Sequence, residues 1–65
     1  MRLRELRRLR AQVQEIADEV RAENPDLAAG DLREIVEQIL RTVLADRPLM
    51  LAIALLMLDL ILPAD

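Results

Sequence analysis

The chain has 65 residues, 54% of them apolar, and nine arginines against twelve acids give a net charge of −3. A chain of this length forms one domain at most and is marginally stable alone, because it buries only about 60% of its unfolded surface. Cysteine and histidine are absent from the sequence, which excludes disulfides and the usual zinc ligands and favours regular packing or oligomerisation as the source of stability.

Side chains that could carry out a reaction are also scarce. The sequence contains no Ser, Cys, His, Tyr or Lys, which are the side chains that serve as nucleophiles or tuned bases. Thr42 has no base partner in the pattern, and no glycine-rich phosphate loop occurs. We therefore expect no enzyme, no cofactor and no small-molecule ligand.

The first ten residues are basic, with five arginines and one glutamate, whereas the other 55 carry four arginines and eleven acids. Such a cluster could bind nucleic acid or hold an amphipathic helix on a membrane. Because no aromatic side chain accompanies it for base stacking, a solvated face that pairs with acids of a neighbouring chain is favoured. Leucines interrupt the cluster and no signal peptide is expected. Its members are Arg2, Arg4, Arg7, Arg8 and Arg10.

A first helix is predicted over residues 2–23. Its apolar residues recur at spacings of three and four, which indicates one buried seam, and the Asn24-Pro25 pair ends it. The seam comprises Leu6, Leu9, Val13, Ile16 and Val20, widened by Leu3 and Ala17. Four acids at helical spacings could coordinate a hard cation, although a solvated face is favoured for them: Glu15, Asp18, Glu19 and Glu23.

A second helix is predicted over residues 32–45. Asp31 and Glu34 have the spacing of a capping box, and Leu27 in the preceding connection is expected to turn inward. Ion pairs at i,i+4 are predicted among Arg33, Glu37 and Arg41. The apolar stripe covers close to half of the helix: Leu32, Ile35, Val36, Ile39, Leu40, Val43 and Leu44.

A third helix is predicted over residues 48–62, with Asp46 as its cap, Pro48 in its first turn and Pro63 at its end. Residues 49–62 are apolar on every side of the helix, so they must be buried all round. Fourteen residues span about 21 Å as a helix, whereas a membrane span needs roughly 20 apolar residues. A membrane role is therefore not favoured, and Asp59 weakens it further.

Asp59 is the one charged residue of this stretch and has two interpretations. It could be buried, lining a pore or fixing a register through Arg41 or Arg47. Alternatively it lies at an exposed edge together with Ala52, seven residues earlier, and this is the favoured interpretation. Met50 and Met57 share one face and are expected to pack in the core.

The predicted fold is all-α: a three-helix up-down-up protomer over residues 1–65 that assembles through its C-terminal helix into a helical-bundle homo-oligomer. A lone three-helix unit cannot cover the third helix on all sides, and monomers rarely expose so large an apolar patch. A dimer is the first choice among cyclic states, and parallel and antiparallel pairing both stay open. The expected interface is Leu49, Met50, Leu51, Ile53, Leu55, Leu56, Met57, Leu58, Leu60, Ile61 and Leu62.

The chain has regular apolar seams, and its composition is dominated by Leu, Ala, Arg and Glu. Its helices are bounded by the Asp31–Glu34 spacing, the Asn24-Pro25 stop and the Asp46-Arg47-Pro48 restart. Together these features resemble computationally designed all-helical homo-oligomers. The resemblance implies self-assembly as the function, with no natural substrate or cell location and with soluble, cytoplasmic expression. The chain also resembles a small natural protein from a high-GC genome. The alternative is therefore a natural interaction module whose C-terminal helix docks on a different protein or a membrane.

Overall fold

The computed structural model describes residues 2–63 and contains three helices: α1, Leu3–Glu23; α2, Ala29–Val43; and α3, Pro48–Ile61. Each helix packs against the other two, and no strand occurs within the described residues. The prediction of an all-α, three-helix protomer is confirmed. Met1, Ala64 and Asp65, which the predicted module of residues 1–65 includes, lie outside the described residues.

The apolar seam determines which side of α1 is buried, because residues at spacings of three and four lie on one side of a helix. Leu9, Val13, Ala17 and Val20 are buried, and Leu6 and Ile16 are half-buried. Leu3 does not widen the seam as predicted: it is 62% exposed, because it is the first residue of α1 and lies beyond the cover of the neighbouring helices.

The end of α1 is fixed by Asn24. Its backbone N–H donates to the Val20 carbonyl at 3.0 Å, and its side-chain Nδ2 donates to the same oxygen at 3.1 Å. Pro25 has no N–H with which to extend the ladder. In the connection that follows, Leu27 is half-buried against the core, as predicted.

Helix α2 begins earlier than predicted, and the predicted capping box is wrong. The Ala28 carbonyl accepts the Leu32 N–H at 2.9 Å, and Ala28 is the N-cap with no side-chain hydrogen bond. Asp31 lies inside the first turn, where its charge favours the helix dipole. The cause is local, since Ala29 is a strong helix former and Gly30 has no positive φ.

Helix α3 starts at Pro48, as predicted, but its N-cap is Arg47 rather than Asp46. The Arg47 carbonyl accepts the Leu51 N–H at 2.9 Å, and no side chain caps this first turn. At the other end Leu62 is the C-cap and Pro63 follows it, again as predicted.

The helices run up, down and up. A groove at one end of the bundle is lined by Glu5 and Arg8 from the start of α1, Val43 from the end of α2 and Met50 from the start of α3. At the other end Arg33 of α2 contacts Asp59 of α3. The core between the helices consists of Leu9, Val13, Ala17, Val20, Leu32, Val36, Leu40, Leu44, Ala54, Leu58 and Leu62.

Candidate interaction surface

Helix α3 has two apolar faces of opposite exposure. Its inner face, Ala54, Leu58 and Leu62, is buried in the core, and both Ala54 and Leu58 are fully inaccessible. Its outer face consists of Leu49, Ala52, Leu56 and Leu60, all exposed. On this face Leu49 is 72% exposed, Leu56 is 65% exposed and Leu60 is 85% exposed. Residues at spacings of three and four lie side by side, so the outer face is a continuous apolar stripe open to water.

The residues of the expected interface divide between these surroundings. Leu58 and Leu62 belong to the core of the protomer itself, so they are not part of any surface that this protomer offers. Leu49, Leu56 and Leu60 are its most exposed members. The remaining six are half-buried along the borders of α3 with its neighbours: Met50, Leu51, Ile53, Leu55, Met57 and Ile61.

Asp59 lies at the edge of the outer face and its side chain is 52% exposed. Its Oδ1 accepts a hydrogen bond from Arg33 Nε at 3.0 Å and a second one from Arg33 Nη2. Within the protomer Asp59 therefore lies at an exposed edge, and its partner is Arg33 rather than Arg41 or Arg47. Sequence spacing gives no sign of this pair, because its residues are 26 positions apart and meet only when α2 and α3 pack.

Arg33 connects this edge to the ion pairs of α2. Its Nη1 donates to Glu37 Oε1 at 3.2 Å, and Arg41 Nη2 donates to Glu37 Oε2 at 3.2 Å, as the i,i+4 spacing predicted. Hydrogen bonding and charge attraction from Asp59 raise the pKa of Arg33 above its ordinary value, and Glu37 adds to the effect. The guanidinium therefore stays charged at every accessible pH, and the α2 border of the outer face is permanently ionic.

The fold also separates charge along the long axis of the bundle. We call residues 2–12 and 37–52 the basic end: seven arginines face three acids, for a net charge of +4. We call residues 13–36 and 53–63 the acidic end: eight acids face two arginines, for a net charge of −6. The sequence showed the N-terminal cluster, but only the up-down-up packing brings Arg41 and Arg47 to the same end as the cluster.

The other candidate residues do not form a defined binding or catalytic site within residues 2–63. The five arginines of the basic cluster are all exposed. The Thr42 hydroxyl donates to the Gln38 carbonyl at 3.0 Å, a bond within its own helix. Asp18 accepts from Gln14 Nε2 at 3.0 Å, and across residues 2–63 the carboxylates do not gather in a group that could hold a metal ion. Met50 and Met57 are half-buried against the core.

Comparison with known proteins gives no relative whose function could help to interpret this surface. No protein-family model, curated protein or solved structure matches the chain significantly. Between residues 2 and 63, no helix is both long enough and apolar enough to cross a membrane.

Proposed function

We propose that the chain is a structural self-assembly module that binds copies of itself through the outer face of α3 and has no catalytic activity. The observation that carries the proposal is the exposed stripe of Leu49, Leu56 and Leu60, which lies opposite a fully packed inner face on the same helix. The resemblance to computationally designed helical homo-oligomers supports the same function.

The free energy gained by covering the outer face is similar in size to the cost of association, so we expect a reversible assembly. The three leucines together expose more than two leucine equivalents of surface, and covering one leucine fully contributes about 1.5–3 kcal/mol. In a twofold dimer both copies contribute, for a total of about 6–12 kcal/mol, against an association cost of about 4–15 kcal/mol. The assembly should therefore depend on concentration and on each of these leucines.

A matched pair of variants tests the proposal. Leu56→Gln places an amide at the centre of the outer face, whereas Leu3→Gln makes the same change at a leucine of similar exposure, at the start of α1. Circular dichroism should show the same helix content for both variants, because neither leucine is buried. Light scattering behind a sizing column should show that Leu56→Gln dissociates at concentrations at which the native chain and Leu3→Gln stay assembled.

Two outcomes would contradict the proposal. If the two variants had equal mass at every concentration, the outer face would not be the interface. If the native chain were a monomer that bound a vesicle or a different purified protein through α3, the alternative of heterologous docking would replace self-assembly.

A further inference from the structure

We infer that the second copy lies antiparallel across the outer face of α3, with Leu49 of each copy opposite Leu60 of the other. The inference rests on the proposed self-assembly and gives the orientation and register of the partner. Two independent features of the protomer support it: the separation of charge between its ends and the arrangement of large and small residues along the stripe.

The charge separation decides between the two orientations. A parallel pair places the basic end, at +4, beside the basic end of its partner and the acidic end, at −6, beside the other acidic end. An antiparallel pair places each basic end beside an acidic end. Like charges brought together disfavour a complex, and complementary ends favour it and speed encounter. Asp59 also favours the antiparallel orientation, because a parallel pair brings the two Asp59 carboxylates to the same level.

The apolar stripe is complementary to its own reverse. When the stripe is reversed about its centre, Leu49 faces Leu60, and the outer-face residue nearest to Ala52 is Leu56, about 1.5 Å from the same level. A small residue then lies opposite a large one at the middle of the contact, which is how facing helix positions interdigitate. In a parallel pair Leu56 would face Leu56 and Ala52 would face Ala52. Two large side chains would then crowd one layer of the contact, and two small side chains would leave a gap in the next layer.

Single-cysteine variants test the orientation, since the native chain contains no cysteine. Leu49→Cys and Leu60→Cys alter two exposed positions, so the protomer should fold. The two positions are 11 residues apart, or about 16 Å along a helix, whereas disulfide-linked Cα atoms are about 4.4–6.8 Å apart. In an antiparallel pair neither variant should cross-link to itself, and an equimolar mixture that has been dissociated and reassembled should give a covalent dimer.

The masses of the native chain and of each variant are measured first under reducing conditions, which separates assembly from orientation. A native chain that stays a monomer at every concentration would overturn both the proposed function and the orientation. An assembled variant that cross-links to itself at Leu49→Cys or at Leu60→Cys would show parallel pairing. An assembled mixture without a cross-link would show that this register is wrong. Either of the last two results overturns the inference and leaves self-assembly standing.

The salt dependence of the native assembly gives a second readout. The screening length falls from about 30 Å at 0.01 M salt to about 8 Å at 0.15 M. Over this range antiparallel pairing predicts that the dissociation constant rises severalfold, because the attraction between opposite ends is lost. A dissociation constant that falls as salt is added would indicate that like ends adjoin, and would contradict the inference.

Discussion

The two faces of α3 are made from the same residue types and have opposite surroundings. Leu58 on the inner face has no exposed surface, and Leu60, two positions later, is the most exposed leucine of the described chain. Helices α1 and α2 differ from α3, because their outward sides carry mainly charged residues such as Arg4, Glu19 and Glu34. The exceptions in α2 are Ile35 and Val43, which were predicted to lie in its buried stripe but are exposed, because they lie at the margins of that stripe. The comparison shows that apolar composition marks α3 for burial, while only the packing of α1 and α2 determines which half of it is still uncovered.

The largest expected effect separates the two faces directly. Leu58→Ala removes a fully buried side chain and should lower the free energy of unfolding by about 2–5 kcal/mol. A domain of this size has little more than that to lose, so the variant should be largely unfolded at 25 °C. Denaturant titration followed by circular dichroism measures the change.

Leu60→Ala is the matched control for that variant. It makes the same truncation on the outer face, so in dilute solution, where copies are separate, it should change the free energy of unfolding by no more than about 0.5 kcal/mol. Equal losses in Leu58→Ala and Leu60→Ala under dilute conditions would erase the distinction between the faces.

A stabilising change outside α3 would sharpen the comparison by separating folding from association. Gly30 lies in the first turn of α2 without positive φ, and a Cβ added there would meet no atom within 4 Å. Gly30→Ala should therefore raise the free energy of unfolding by about 0.5–1 kcal/mol. The denaturation midpoint should increase while the mass of the assembly at each concentration stays unchanged. A lower midpoint would indicate that α2 does not begin where the structure places it.

The smallest expected effect concerns the ionic border of the outer face. Because the pKa of Arg33 is raised in the folded protein, its stabilising charge is fully present below the ordinary arginine pKa and is lost as pH rises through the raised value. The native chain should therefore keep constant stability from about pH 9 to about pH 11. Arg33→Lys introduces the only lysine of the chain, and its ordinary pKa of about 10.4 lies inside this range. The variant alone should lose a little stability toward about pH 11. Parallel pH profiles for the two proteins would show that the pair with Asp59 contributes nothing.

Local features were predictable from the sequence because their causes are local. The stop at Pro25, the start at Pro48 and the ion pairs of Glu37 follow from neighbouring residues. The start of α2 was misplaced, because the Asp31–Glu34 spacing suggested a cap while Ala29 and Gly30 in fact continue the helix upstream.

Features that depend on packing were out of reach. The partner of Asp59 comes from another helix, and the gathering of Arg41 and Arg47 at the basic end depends on helix direction. Periodicity also could not divide α3, since apolar residues follow one another all round it. The sequence therefore predicted the same burial for Leu58 and Leu60, whereas in the structure Leu58 is buried and Leu60 is exposed.

The mass of the native chain in solution, measured by light scattering across a dilution series, tests most directly whether the outer face of α3 binds a second copy. Self-assembly through this face predicts a defined integer multiple of 7.4 kDa at high concentration, with dissociation on dilution and earlier dissociation in Leu56→Gln. A stable 7.4 kDa monomer at every concentration would contradict it, because Leu49, Leu56 and Leu60 would then face water with no copy to cover them.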